Sequence, residues 1–310
     1  MRSARYTAAQ IALDVATAFV PRGLYETRAH AVAEHARLPE TQDADGWDHR
    51  RVASSDGSYE HDFYVYPSSR PDAPTLVLLH GLFLDGRSFF NLSGLSSDFE
   101  LVAYNYPQRC ECYEGTMDDF ASVLDDFAAV MELKKFALGG TSLGGMVALH
   151  WASTLDPSKL TALVLISTRV PGVTESQRRE AREAYALLDR YPDYRLVWLQ
   201  DVFQRLYAGR FKGDEREQVQ AALRPKDIAF YRQAMSALHD YNGAEAARKI
   251  TAPVLFLLGT NDKLIPMSSV DELKSLIPHV QVELIEKGPH IMTYLDGAEV
   301  SERIRSFLVG

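Results

Sequence analysis

Three short stretches of the 310-residue chain carry residue types suited to acyl transfer. The first is Gly140-Thr141-Ser142-Leu143-Gly144, a Gly-x-Ser-x-Gly pattern with a further glycine on each side, Gly139 and Gly145. A serine on a tight strand-to-helix turn projects its hydroxyl above the sheet edge, and small flanking residues let that turn close. The N-terminus of the following helix would lie beneath it. Free N–H groups and the helix dipole there favour developing negative charge. The competing reading of Ser142 is a helix-capping serine in a glycine-rich turn.

A serine nucleophile needs a base, and the base needs a carboxylate that holds its tautomer and stabilises the imidazolium. Nine histidines are available. In an open parallel sheet, reacting groups gather at the C-terminal ends of the strands. His290, in Lys287-Gly288-Pro289-His290, follows the last predicted strand and meets that condition. His279 precedes its strand. His150 lies about 12 Å along the helix axis from Ser142, too far for a hydrogen bond. His30, His35 and His49 fall in the N-terminal extension, His61 opens a strand and His239 sits in a helical segment. His80 ends a strand but leads into a loop with Gly81, where bracing the loop is its expected role. The third stretch, Gly259-Thr260-Asn261-Asp262, follows a strand ending at Leu258 and offers the carboxylate. Glu286 is the second choice. The chain order Ser142, Asp262, His290 is the one that accompanies a nucleophile elbow. Two backbone donors for an oxyanion are expected, the Leu143 N–H at the helix start and the Leu82 N–H, which Gly81 allows to turn inward.

The elements that must position these residues follow from hydrophobic period. Apolar or aromatic runs at 62–66, 75–79, 101–104, 136–138, 162–166, 254–258 and 280–285 read as strands. Between them, apolar residues recur at three- and four-residue steps, as in Phe120, Val123, Leu124, Phe127, Val130 and Met131, and read as helices. Such alternation predicts a mostly parallel sheet flanked by helices. The rhythm stops near Val170. From Pro171 to Lys249 only helical patterns occur, around 176–191, 194–207, 214–223 and 227–241. The expected organisation is an N-terminal helical extension over 1–50, a core from 51–170 and 249–310, and an inserted helical cap over 171–248. Pro39 to Gly57 reads as loop.

Composition narrows the function classes. With 33 Lys+Arg against 42 Asp+Glu the formal charge is −9, which disfavours nucleic acid as a partner. No apolar run approaches the roughly 18 residues that span a bilayer. Ile11, Val15 and Phe19 make a short amphipathic stripe, read as a helix docked on the body, with peripheral membrane contact through residues 6–20 as the sharper alternative. Gln10 and Asp14 interrupt that run, so a secretory signal fits poorly. Cys110 and Cys112 are too few for a disulfide framework or a zinc site. Two ordinary thiols and a cytoplasmic home are expected. No metal or nucleotide signature appears, and no cofactor is expected.

His80-Gly81, the Gly-x-Ser-x-Gly elbow, Gly-x-x-Asp at 259–262 and Gly-Pro-His at 288–290 together resemble the α/β-hydrolase superfamily, over roughly residues 60–310. The resemblance implies the α/β-hydrolase fold with a cap between the sixth and seventh strands. It implies a triad of Ser142, Asp262 and His290, and oxyanion donors at Leu82 and Leu143. After the strand ending at Tyr104, relatives often carry Asp-x-Arg-Gly. This chain reads Asn105-Tyr106-Pro107-Gln108-Arg109 instead. A serine nucleophile argues against the capped relatives that attack carbon with aspartate. Ile291-Met292-Thr293-Tyr294 after the histidine lacks the tryptophan that carbon–carbon bond hydrolases place there. The expected activity is therefore hydrolysis of a small-molecule carboxylic ester through an acyl-enzyme. Its acyl group would be hydrophobic, lined by Leu82, Phe83, Leu143, Ile291 and the cap aromatics Trp198, Phe203, Tyr207, Phe230 and Tyr231. Packing of the cap on the body is the competing role of those aromatics. A thioesterase or acyltransferase with the same triad stays open, as does a ligand receptor of the same fold with slow hydrolysis.

Overall fold

A computed structural model describes residues 46–82, 84–108, 110–170, 228–262 and 264–310. Eight strands form one sheet in the order β1-β2-β4-β3-β5-β6-β7-β8. They are β1 Asp48–Ala53, β2 Glu60–Tyr66, β3 Thr75–Leu79, β4 Glu100–Asn105, β5 Phe136–Thr141, β6 Leu160–Ile166, β7 Val254–Gly259 and β8 Gln281–Ile285. β1 and β2 are antiparallel to their neighbours, and every pair from β4 to β8 is parallel. The central strands are buried on both faces, which is why β3, β5 and β7 read as unbroken apolar or small-residue runs.

One face is covered by α1 Met117–Val130, α2 Leu143–Ala152, α3 Ile228–Asp240, α4 Ala244–Lys249 and α5 Ser268–Leu276. The other is covered by a 3-10 helix over Gly86–Ser97 and by α6 Met292–Leu295 and α7 Gly297–Val309. α1 starts at a capping box. The Thr116 hydroxyl accepts from the Asp119 N–H, and the Asp119 carboxylate accepts from the Thr116 N–H. Its apolar stripe, Phe120, Val123, Leu124 and Phe127, is fully buried against the sheet.

Three expectations need correction. Residues 48–53, expected as loop and partly as N-terminal extension, form the edge strand β1. Its sequence, Asp-His-Arg-Arg-Val-Ala, shows no apolar alternation because an edge strand keeps charge toward water. It is held instead by pairing with β2 and by the Arg51 and His49 side chains on Asp62, at 2.9 and 3.0 Å. The 3-10 helix was not expected, since its Gly- and Ser-rich sequence carries no 3.6-residue stripe. Asp85 caps it by accepting from the Arg87 N–H. Cys110 and Cys112 are joined as a disulfide rather than left as thiols. Their Cα atoms lie 5.1 Å apart, inside the range such a bond bridges. The expected N-terminal helix and most of the expected cap, residues 171–227, lie outside the described residues. Among the described residues no helix is long and apolar enough to cross a membrane.

Candidate active site

The parallel strands end in line. Leu79 is level with Gly140, Gly140 with Leu165, Ile166 with Leu257, and Gly259 with Ile285. The loops that leave these ends therefore sit side by side on one rim. They carry, in sheet order, His80 to Leu82, Ser142, Ser167 and Thr168, Asp262, and His290.

Ser142 stands between β5 and α2 with φ 55° and ψ −117°. A non-glycine residue with such a φ costs on the order of 1–3 kcal/mol and persists only where its surroundings fix it. Several contacts do so. The Ser142 N–H donates to the Ile166 carbonyl at 2.9 Å. A side chain on Gly144 would place its Cβ 2.0 Å from the Leu79 carbonyl oxygen, so only glycine lets α2 press this closely on the end of β3. The Ser142 side chain makes no helix-capping hydrogen bond, which removes the capping reading. Gly81 also lies against the serine, less tightly: a Cβ built on it would be 3.3 Å from the Ser142 Cβ. His80 braces this loop. Its Nδ1–H donates to the Gly81 carbonyl at 2.8 Å, and its ring packs edge-on to Tyr106 with centroids 4.7 Å apart.

Asp262 and His290 are brought together. His290 Nδ1 donates to Asp262 Oδ2 at 2.9 Å, and the two side chains are 5% and 0% exposed respectively. Asp262 Oδ1 accepts from the Leu264 and Ile265 N–H groups at 2.8 and 3.0 Å. Burial alone would push this carboxyl up. The bond to His290, its charge and the two N–H groups outweigh burial and hold it below its ordinary value. The two loops are stitched to each other. The Asn261 N–H donates to the Gly288 carbonyl at 3.1 Å, and the Lys287 N–H to the Thr260 hydroxyl at 2.8 Å. A Cβ on Gly259 would meet the Gly288 carbonyl oxygen at 2.1 Å, so the glycines of Gly-x-x-Asp and Gly-Pro-His serve this close approach.

The rejected candidates have other partners. Glu286 is exposed beside Lys287. His61 is fully buried between Tyr104 and Asp126, His150 pairs with Asp118, and His279 bonds to the Ala252 carbonyl. Leu82 is half-buried after β3, while Leu143 and Ile291 are buried beside Ser142 and His290 in sequence. Phe230 packs in an aromatic group with Tyr106, Tyr113 and Phe120, at centroid distances of 6.1, 5.4 and 6.1 Å. Tyr231 is buried next to it. Phe83, Trp198, Phe203 and Tyr207 lie outside the described residues. Asn105 accepts from the Gly86 N–H at 2.7 Å and donates to Asp62, tying the 3-10 helix to the sheet. Thr168 was missed by the sequence reading. Its hydroxyl donates to the Ser142 carbonyl at 2.7 Å. The available signal was its place, directly after the strand that flanks β5.

Residues 74–296 match the sequence profile of a family described as alpha/beta hydrolase fold. The chain is 28% identical to a biotin biosynthesis bifunctional protein of Teredinibacter turnerae, over 77% of this chain and 45% of that protein, so it spans less than half of that relative. It is 26% identical to a pimeloyl-[acyl-carrier protein] methyl ester esterase of Xanthomonas oryzae pv. oryzae, over 76% of this chain and 95% of that one. Among solved structures, an esterase from Exiguobacterium antarcticum superposes with a TM-score of 0.71 at 18% identity, over 84% of this chain and 99% of that one. At that identity the likeness concerns the fold.

Proposed function

The chain belongs to the alpha/beta hydrolase family, and from that premise we propose that it is a carboxylic ester hydrolase with Ser142 as nucleophile, His290 as base and Asp262 as its orienting acid. The carrying observation is the buried Asp262–His290 bond of 2.9 Å on the same rim as a serine held at positive φ. With Nδ1–H committed to Asp262, the neutral imidazole keeps its Nε2 lone pair for a proton. In the proposed course Ser142 Oγ attacks the ester carbonyl as His290 takes its proton. The Leu82 and Leu143 N–H groups stabilise the oxyanion. His290 then gives the proton to the leaving alcohol, and water repeats the sequence on the acyl-enzyme. Asp262 stays ionised throughout and stabilises the imidazolium.

The same reading assigns an uncharged, hydrophobic acyl group, in keeping with the apolar Leu82 on the expected oxyanion loop and with Leu143 and Ile291, the neighbours of Ser142 and His290 in the chain. The relative from Xanthomonas oryzae is named for a methyl ester, which is in keeping with an ester substrate here. The test is steady-state hydrolysis of p-nitrophenyl esters from acetate to octanoate by the wild-type protein and Ser142→Ala. Turnover should rise with acyl length in the wild type. In Ser142→Ala kcat should fall by about 10⁶, equivalent to roughly 8 kcal/mol. Ordinary turnover by Ser142→Ala refutes the nucleophile, and no gain beyond acetate refutes the apolar acyl site.

A further inference from the structure

The Ser142 carbonyl is a crowded acceptor. It takes the Gly145 and Met146 N–H groups at 3.0 and 3.2 Å, which are ordinary bonds of a starting helix. It takes a third donor from a different strand end, the Thr168 hydroxyl, at 2.7 Å. Thr168 is 1% exposed and follows Ser167, whose φ of 46° is again in the left-handed region. Its side chain is wedged against the elbow: a Cβ on Gly145 would lie 2.7 Å from the Thr168 Cβ and 2.8 Å from its hydroxyl oxygen. Gly145 is thus the complement of Thr168, and the second glycine after the serine has a steric reason.

This carbonyl and the Leu143 N–H are the two ends of one peptide group. Amide resonance couples them, so a hydrogen bond that draws electron density toward the oxygen leaves the N–H more positive. It also fixes the plane of the peptide and hence the direction of the N–H. We propose that Thr168 is a positioning residue for the oxyanion site, polarising and aiming the Leu143 N–H through the Ser142 carbonyl. The proposal rests on the reading of Leu143 as an oxyanion donor. The helix already supplies this carbonyl with two donors, and the buried Thr168 hydroxyl adds a third.

The size of the effect follows from two generalisations. One oxyanion donor is worth about 10²–10³ in rate. Cooperative strengthening by a bonded neighbour is about 10–30% per bond. Taken on the logarithm of the rate, Thr168 should contribute about two- to eight-fold to kcat.

The experiment compares Thr168→Val, which keeps the shape without the hydroxyl, with Thr168→Ser, which keeps the hydroxyl without the methyl. The readouts are p-nitrophenyl ester kinetics and inhibition by a trifluoromethyl ketone, whose adduct with a serine carries the same oxyanion. Thr168→Val should lower kcat about two- to eight-fold with KM unchanged, and raise the ketone Ki by the same factor. Thr168→Ser should restore both. Should Thr168→Val not fold, Thr168→Ala removes the same hydroxyl without an apolar γ-carbon against the carbonyl, and the same shifts are expected. Wild-type kcat and Ki in the variant lacking the hydroxyl overturn the proposal, as does a Thr168→Ser variant as impaired as Thr168→Val. A wild-type protein that neither hydrolyses esters nor reacts with a fluorophosphonate defeats the hydrolase reading itself. An active wild type with an unaffected Thr168→Val defeats only this inference.

Discussion

Replacing Asp262 with asparagine alters charge and donor pattern while keeping the shape, and the hydrogen bonds around the carboxylate say what must follow. One oxygen of Asp262 faces His290 Nδ1 and the other faces the Leu264 and Ile265 N–H groups, so all three neighbours are donors. An asparagine has one acceptor and one donor end to offer. If its oxygen faces His290, its NH2 meets two backbone donors, leaving the part-buried Ile265 N–H without an acceptor at about 1–3 kcal/mol and the exposed Leu264 N–H to water. If its NH2 faces His290, Nδ1 must accept, the imidazole proton moves to Nε2, and the lone pair needed for the serine proton is gone. The second arrangement should dominate, and reaching the productive tautomer costs about 1–3 kcal/mol. At about 1.4 kcal/mol per tenfold, that is a loss of roughly 5- to 150-fold. Loss of the carboxylate charge beside the imidazolium adds to it and carries the total toward the 10⁴ typical of this exchange in serine triads. Steady-state kinetics on a p-nitrophenyl ester measure it, with a circular dichroism melt to show a folded variant. A folded Asp262→Asn enzyme within tenfold of wild-type kcat would refute the reasoning.

Two further perturbations test the scaffold. Gly259→Ala places a methyl group 2.1 Å from the Gly288 carbonyl oxygen and should separate the Asp262 and His290 loops, lowering kcat by at least about 10²; Gly94→Ala, which meets no atom within 4 Å, should leave kcat unchanged. Kinetics on the two variants decide it. The second concerns acid. Burial lowers the His61 pKa below its ordinary 6.5, against the opposing pull of Asp126. Below pH 6.5 the unfolded chain then binds a proton that the folded protein refuses, so stability falls as pH drops from 6.5 toward the lowered folded value. Urea unfolding should show a lower midpoint at pH 5 than at pH 7.5, and His61→Gln should reduce that difference. An unchanged difference in the variant would show that His61 carries none of it.

The sheet was legible where burial writes itself into composition. Thr75–Leu79 was read with its observed bounds because a strand covered on both faces must be apolar throughout. β5 was read only to Leu138. Gly139 and Gly140 interrupt the apolar run, yet they pair with Leu78 and Leu79 on one side and Val164 and Leu165 on the other. Gly140 is small for the elbow, where a Cβ would lie 2.2 Å from the Gly144 carbonyl oxygen, so the strand signal and the site signal conflict there. β1 was illegible because its stability comes from pairing and cross-strand charge, neither of which has a period in a single sequence. Asp262 and His290 were singled out because each follows a recognisable strand, and strand ends share a rim. Thr168 follows a recognisable strand as well, but its contact with the Ser142 carbonyl depends on β6 lying beside β5, a fact of sheet order that the strand end alone does not give. The disulfide was missed for a related reason. Two cysteines separated by one residue give no sign of the local backbone path that sets their Cα distance.

Ser142, served by His290 and Asp262, should behave as an activated nucleophile. Treating the wild-type protein with a fluorophosphonate, digesting it and locating the adduct by mass spectrometry tests that activation without assuming a substrate. A single stoichiometric adduct on Ser142 is expected, absent in Ser142→Ala and strongly slowed in His290→Ala. Modification of another residue, or no reaction by folded wild-type protein, would rule out Ser142 as the activated nucleophile.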